Sequence, residues 1–383
     1  MSLILTNCKI FTAQETLINH SLVIENGIIS DITCDEITTK AHQVVDLKGQ
    51  LIAPGFIDTQ VNGGAGCLFN NSPTVDSIIQ IANAHRKFGT TSLLPTLISD
   101  DTQTTEKAIQ AAKQALHLKV PGFIGIHLEG PYLNINRKGV HCETKITSPS
   151  ENSLALFKKI GEIGSSMMTL APEITDTLFI KALVDEGIIV SIGHSNAGYD
   201  CTKQALKAGV SGFTHLFNAM SSLTSRDPGV AGCAMEDPHS WCGVIVDGHH
   251  VHDTNLAFAL KLKPKGKVML VTDAMHTVGQ AGTKFDLAGI DIYRSNGKVT
   301  TADGTLAGSD LTMISAVKNT VSRLAIDQEE ALRMASLYPA QFLKQDHQLG
   351  RIAPGYRANL VLLDTELNVL ETWIDGKANN QNT

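Results

Sequence analysis

Short apolar runs, each ending in a residue that can bind a metal ion or a proton, recur through the middle of the chain. The runs are GFIGIHLE, GIIVSIGH, SGFTH, WCGVIVD and KVMLVTD, and they end at Glu129, His194, His215, Asp247 and Asp273. A continuous apolar run is typical of a strand buried in a parallel sheet. Because the active sites of β/α barrels lie at the carboxyl ends of the strands, the pattern predicts that these polar residues meet at one site.

Strand-like runs alternate with helix-like segments from about residue 52 to residue 349. Eight such alternations favour an α/β fold with a (β/α)8 TIM-like barrel over a doubly wound sheet. Neither GxGxxG nor GxxxxGK[ST] occurs, so the nucleotide-binding folds lack their glycine signature here. We therefore predict a barrel catalytic domain over residues 52–349.

Both ends of the chain have the pattern of short strands joined by tight turns. Asn26-Gly27 and Asp375-Gly376 separate strand-like runs, and both dipeptides favour the backbone of a hairpin turn. We predict that residues 1–51 and 350–383 join into one small β-sandwich domain beside the barrel.

Composition narrows the classes of partner and compartment. The net charge is −7 and no basic block occurs, so nucleic acid and anionic membranes are not expected as partners. No apolar run approaches the length of a membrane span, which predicts a soluble protein. The seven cysteines are scattered without a CxxC pair, as expected for reduced thiols in the cytoplasm.

Glu129, His194 and His215 are the candidate metal ligands. Two neutral imidazoles and one carboxylate are a common catalytic zinc set that leaves a position open for water. His127 is a competing ligand, because it lies two residues before Glu129 and points to the same face of the strand. Each histidine has an alternative role as a hydrogen-bonded core residue.

Other candidates are predicted near the ends of the strands. Asp273 is placed to act as a general base, or else to orient a histidine ligand. His141 lies in the loop after the Glu129 strand, where it is able to polarise a carbonyl group, although a solvated loop histidine is the commoner case. Arg226 suits a phosphate or carboxylate, with a solvated loop residue as the alternative. The segment GTLAGSD, residues 304–310, is predicted to be a loop of small residues.

Ten motifs in a fixed order resemble the N-acetylglucosamine-6-phosphate deacetylases of the amidohydrolase superfamily. They are GFIDTQVNG, HLEGPYLN, KGVH, TLAPE, GHSNA, THLFNAM, RDPG, VDGHHV, TDAM and GTLAGSDLTM, and the closing segment RIAPGYRANLVLLD extends the similarity to nearly the whole chain. The resemblance implies a metal-dependent hydrolase that cleaves the acetamide of N-acetylglucosamine 6-phosphate. It also implies a barrel with a β-sandwich built from both termini, and a homodimer.

The resemblance also assigns roles to residues. Glu129, His194 and His215 would bind the metal ion, and Asp273 would be the base and then the acid. His141, with the Val140 backbone, would hold the acetyl carbonyl group. The sugar-phosphate pocket would be lined by Asn218, Ala219, Asp247, His250, Leu306, Ala307 and Gly308. Arg226 would reach the phosphate bound by the neighbouring subunit.

One departure from the superfamily concerns the metal count. Many amidohydrolases carry His-x-His after the first barrel strand, whereas Gln60 and Asn62 occupy those positions here. Amides are poorer ligands than imidazole for transition metals. We therefore expect one divalent ion per subunit, zinc by default with iron or another divalent ion as alternatives, and Gln60 reaching it through a water molecule.

Three rival functions stay open at this stage. A deacetylase for the galactosamine epimer would share the metal site and the phosphate contacts. A cyclic amidohydrolase is disfavoured by Gln60 and Asn62, because such enzymes commonly use His-x-His. A non-catalytic sugar-phosphate sensor would not need Asp273.

Overall fold

Eight parallel strands form a barrel in the computed structural model, which describes residues 2–34, 42–150, 152–287 and 289–379. The barrel strands are Phe56–Val61, Thr90–Ile98, His127–Glu129, Met167–Leu170, Ile189–Ile192, Gly212–Phe213, Trp241–Val244 and Val268–Leu270. Their order in the sheet follows their order in the chain. A parallel bridge between Val61 and Ala274 links the first strand to the segment after the last one. The predicted barrel is therefore confirmed.

Helices follow the strands and cover the outside of the barrel. Thr102–His117 begins after Asp101, whose carboxylate accepts a hydrogen bond from the Thr104 N–H at 2.8 Å and so caps the helix. The buried face of this helix is built mainly from small residues, namely Ala108, Ala111, Ala112 and Ala115. The other α-helices are Val75–Arg86, Ser153–Phe157, Thr177–Asp185, Tyr199–Lys207, Gly229–Glu236, Asp253–Leu262, Met313–Leu324, Gln328–Ala335 and Leu337–Phe342. Within the described residues, no helix has both the length and the apolar content for crossing a membrane.

The two termini share one eight-stranded sheet. Leu51–Pro54 pairs with both Ser2–Phe11 and Leu360–Leu363, which brings the ends of the chain together. The remaining strands of this sheet are Thr16–Glu25, Ile28–Thr33, His42–Asp46, Val369–Ile374 and Lys377–Ala378. Asn26 and Gly27 have φ angles of 52° and 82°, as a tight hairpin turn requires. A small β domain built from both termini is thus confirmed, whereas the boundaries 1–51, 350–383 and 52–349 stay a prediction.

A separate four-stranded antiparallel sheet follows the last barrel strand. Its strands are Lys284–Leu287, Ile290–Ser295, Lys298–Thr301 and Leu306–Ser309. The prediction of a loop over residues 304–310 is therefore wrong for most of that segment. The edge strand forms because Ser309 pairs with both Lys298 and the backbone beside Asp273. Asn296-Gly297, a hairpin turn between two of these strands, was the available sequence signal.

Candidate active site

Glu129, His194 and His215 meet at the carboxyl ends of three barrel strands. Glu129 Oε1 lies 3.1 Å from His194 Nε2 and 3.0 Å from His215 Nε2, and the two nitrogen atoms are 3.1 Å apart. All three residues are buried. A tetrahedral zinc ion with bonds of about 2.0 Å separates its ligand atoms by about 3.3 Å. The donor set and its spacing therefore fit a single divalent ion.

His141 is the other histidine in this group, since one ligand atom each of Glu129, His141 and His194 lie within 4.8 Å of one another. The ring of His141 accepts a hydrogen bond at Nδ1 from the Ser99 backbone N–H at 3.2 Å. A backbone N–H only donates, so the proton of the neutral ring is assigned to Nε2. Burial lowers the pKa of His141 to about 3, which keeps the ring neutral. His141 is therefore a hydrogen-bond donor and a poor ligand in this arrangement.

In His194 the ring proton lies on the other nitrogen, Nδ1. Its Nδ1 lies 2.7 Å from the carbonyl oxygen of Arg137, and a carbonyl only accepts. In the neutral ring the proton is therefore on Nδ1, and the Nε2 lone pair faces Glu129 and His215. These protonation states favour Glu129, His194 and His215 over the set that contains His141.

His127 packs inside the barrel. Its ring nitrogens lie 3.2 Å from Thr96 Oγ1 and 2.8 Å from Thr169 Oγ1. Burial lowers the pKa of His127 to about 4. With both nitrogens engaged by hydroxyl groups, the geometry favours the packing role over the ligand role.

Asp273 is held by the two amides that replace the His-x-His pair. Asn62 Nδ2 donates to Asp273 Oδ1 at 2.7 Å, and Gln60 Nε2 donates to the same oxygen at 3.2 Å. Gln60 Nε2 also donates to Glu129 Oε2 at 3.1 Å, which is a direct contact to a candidate ligand. Sequence reasoning treated Asn62 only as a missing ligand, because its bond to Asp273 depends on closure of the barrel.

Buried charge shifts the acidity of both carboxyl groups. Burial, reinforced by the charge of Glu129, raises the pKa of Asp273 to about 6. Burial alone would also raise the pKa of Glu129, but hydrogen bonds and charge from the protonated forms of His194 and His215 hold it well below its usual range. Glu129 is therefore ionised, and Asp273 is suited to proton transfer near neutral pH.

Three of these residues have a left-handed backbone. The φ angles are 49° at His194, 34° at His215 and 52° at Asp273. That conformation costs a residue with a side chain about 1–2 kcal/mol. Strain of this kind is concentrated at functional sites, and here it turns the side chains toward one another.

A cavity of about 330 Å³ opens over this cluster. Its walls include many of the predicted residues, namely Glu129, Val140, His141, His194, His215, Asn218, Ala219, His250, Asp273, Leu306 and Gly308. Residues not predicted also contribute, namely Asn62, Leu68, Asn70, Ile98, Asn136, Arg137, Gly139, Met275, Leu287 and Thr305. Most of them lie in loops, in short elements after the barrel strands or in the four-stranded sheet, and Ile98, which does end a barrel strand, is apolar and so gave no polar strand-end signal.

Several predicted residues do not line the cavity. Asp247 lies behind His250, with its Oδ2 2.6 Å from His250 Nδ1, so it orients the ring. Ala307 is buried in an apolar cluster with Met275. Arg226 is exposed on a loop outside the cavity of its own chain.

The similarity of this chain to known protein families and enzymes extends over nearly its whole length. The amidohydrolase family profile matches residues 51–379, and the NagA composite domain profile matches residues 3–52. The N-acetylgalactosamine-6-phosphate deacetylase of Shewanella sp. (strain ANA-3) is 40% identical, over 98% of this chain and 95% of the relative. The N-acetylglucosamine-6-phosphate deacetylase of Haemophilus influenzae is 34% identical, over 98% and 99%.

Solved structures agree with this relationship. The crystal structure of N-acetylglucosamine-6-phosphate deacetylase from Pasteurella multocida has a TM-score of 0.95 and 36% identity, and the match covers 99% of both chains. A Mycobacterium smegmatis N-acetyl-D-glucosamine-6-phosphate deacetylase mutant in complex with N-acetyl-D-glucosamine-6-phosphate has a TM-score of 0.90 and 29% identity, over 99% of both chains. With profile, relatives and structures matching over nearly its whole length, the chain belongs to the amidohydrolase family.

Proposed function

We propose that this chain is a metal-dependent deacetylase that converts N-acetylglucosamine 6-phosphate to glucosamine 6-phosphate and acetate. The observation that carries the proposal is the convergence of Glu129, His194 and His215 beside Asp273 and His141 in one cavity. A sugar-phosphate sensor would not need a proton acceptor at Asp273. The names of the Haemophilus influenzae relative and of the two solved structures support the choice of substrate.

Glu129, His194 and His215 would hold one divalent ion, which we propose to be zinc. Such an ion, when bound, acidifies water and polarises a carbonyl group. Asp273 takes the proton of the attacking water and then passes it to the leaving amine. His141 donates its Nε2–H to the acetyl oxygen, where negative charge develops.

The remaining pocket residues would orient the sugar phosphate. The bond from His250 Nδ1 to Asp247 leaves His250 Nε2 to contact the substrate. Asn218 and Ala219 line the same cavity as His250, and Leu306 and Gly308 line it from the four-stranded sheet. We propose a homodimer in which Arg226 of the partner subunit contacts the phosphate, because Arg226 is exposed and lies outside the cavity of its own chain.

The compartment is also part of the proposal. All seven cysteines carry free thiols, and Cys8, Cys233 and Cys242 are buried. Reduced thiols suit the cytoplasm, where we place the enzyme.

The galactosamine epimer is the second candidate substrate. It is favoured by the 40% identity to the Shewanella N-acetylgalactosamine-6-phosphate deacetylase. Acetate release should be measured with both 6-phosphates and with unphosphorylated N-acetylglucosamine. We expect the highest kcat/KM for N-acetylglucosamine 6-phosphate and very weak activity without the phosphate. A higher kcat/KM for the galactosamine epimer would replace the first candidate by the second, and no acetate from any substrate would contradict both.

A further inference from the structure

Glu173, the last residue of the TLAPE motif, has no role in the site described so far. It follows the barrel strand Met167–Leu170, and its carboxylate accepts three hydrogen bonds. The donors are Asn134 Nδ2 at 2.9 Å, Ser195 Oγ at 2.7 Å and the Asn196 N–H at 2.6 Å. One donor comes from the loop after Glu129, and two come from the residues directly after His194.

Both of these loops hold His194. The Asn134 N–H donates to the His194 carbonyl oxygen at 2.8 Å, and the Arg137 carbonyl accepts from His194 Nδ1 at 2.7 Å. The loops are also joined by Arg137 Nε, which donates to Asn196 Oδ1 at 3.0 Å. The ring and the backbone of His194 are therefore fixed by the two segments that Glu173 connects.

We propose that Glu173 is a positioning residue for the metal centre. By joining the loops around His194, it holds this residue in its left-handed conformation, with φ at 49°, and keeps Nε2 aimed at Glu129 and His215. Partners behind a ligand fix its orientation, and their loss typically weakens metal binding. The inference rests on the metal site of the proposed function, and it concerns how tightly that site binds its metal ion.

The test is zinc affinity, measured by competition with a chromophoric chelator. Glu173→Ala should bind zinc about 10- to 100-fold more weakly than the wild type. Asp364→Ala is the matched control. Asp364 is half-buried like Glu173 and also accepts three hydrogen bonds, from the N–H groups of Glu366 and Asn368 and from Asn368 Nδ2, but it lies in the terminal β domain. The zinc affinity of Asp364→Ala should equal that of the wild type. An unchanged zinc affinity in Glu173→Ala would overturn the proposal.

A second variant separates positioning from a general loss of folding. Glu173→Gln keeps an oxygen for Asn134 and Asn196 and loses the acceptor for Ser195, so its zinc affinity should lie between those of the wild type and Glu173→Ala. The Tm of each metal-free protein measures the structural effect. If Glu173→Ala does not fold, the zinc affinity of Glu173→Gln tests the proposal. A zinc affinity equal to that of the wild type in Glu173→Gln would refute it. A wild-type chain that binds no zinc would instead refute the metal site itself.

Discussion

Proton positions on individual histidines determine which side chains are able to act as metal ligands. The backbone donor at Ser99 and the backbone acceptor at Arg137 impose opposite protonation on His141 and His194. The sequence does not distinguish these two rings. Their protonation makes His141 suited to donate a hydrogen bond and His194 suited to bind a metal ion. The third position in the ligand set then falls to His215.

Substitution of the two histidines tests this assignment. His215→Ala should lose stoichiometric zinc, because it removes one of three ligand atoms. His141→Ala should keep zinc and lower kcat about 10²–10³-fold, because it removes a donor to the developing oxyanion. Metal content and kcat measured on the same samples give the answer. Loss of zinc from His141→Ala with retention in His215→Ala would reverse the two roles.

The acid limb of activity reports on Asp273. Its carboxyl group must be ionised to accept a proton, so kcat/KM should fall as the pH falls through its pKa. Burial and the charge of Glu129 raise that pKa to about 6, and a bound cation would lower it. We therefore expect a limb at about pH 6 or below in a pH profile of kcat/KM. Asp273→Asn should lack turnover while keeping zinc, and a limb centred above pH 7 would contradict the role.

Sequence reasoning found the residues that end strands and missed those that depend on tertiary contacts. Glu129, His194, His215 and Asp273 follow apolar runs, so barrel geometry predicted their convergence. The direct bonds of Gln60 to Glu129 and Asp273 join the first barrel strand to the third strand and to the segment after the last strand, so they arise only in the closed barrel.

At the level of elements, the four-stranded sheet is attached directly beside Asp273. Ser309 N–H donates to the Asp273 carbonyl at 2.8 Å, and the Met275 N–H donates to the Ser309 carbonyl at 2.9 Å. The edge strand Leu306–Ser309 thus pairs with the segment that follows the last barrel strand, and its residues Leu306 and Gly308 line the cavity. Displacement of this edge should move Asp273, the proposed general base.

Gly308 tests that attachment. Its φ is 64°, and a Cβ there would lie 2.8 Å from the Asp273 carbonyl oxygen and 2.7 Å from the Met275 side chain. Gly308→Ala should therefore lower kcat at least about tenfold and destabilise the fold by about 1–2 kcal/mol. Gly304→Ala is the control, because its φ is 88° but its Cβ would meet nothing within 4 Å. Equal kcat values in the two variants would show that the edge does not position Asp273.

The sequence predicts those elements that have a clear local pattern, such as a turn dipeptide or an apolar run, and does not predict elements that lack one. Asn26-Gly27 marked a hairpin that the structure contains. The edge strand Leu306–Ser309 has the sequence LAGS, whose small residues give neither an apolar run nor a clear alternation. Its strand conformation comes from its partners instead.

For the whole molecule, the proposed homodimer would have each site completed by Arg226 of the partner subunit. Arg226→Ala should raise KM for the phosphorylated substrate, and Asp273→Asn should abolish turnover. In a hybrid dimer of these variants, the subunit with Arg226→Ala keeps Asp273 and receives Arg226 from its partner. Co-expressed, differently tagged chains should therefore show activity with wild-type KM. A hybrid that keeps the raised KM would place the phosphate contact within one chain.

The pairing of the two termini is also a property of the whole molecule. Leu51–Pro54 and Leu360–Leu363 lie some 300 residues apart and form adjacent strands. The β-rich pattern at each end predicted strands, but register between distant segments is set by packing of the complete fold. The sequence pattern therefore predicts strands at both ends but does not by itself show that these strands pair.

Dependence of turnover on metal stoichiometry tests the central claim most directly. Metal-free protein should be titrated with zinc while acetate release from N-acetylglucosamine 6-phosphate is measured. The account predicts negligible activity without metal and a linear rise that ends at about one zinc per chain. Full activity in metal-free protein, or a rise that ends only at two ions per chain, would contradict a single ion held by Glu129, His194 and His215.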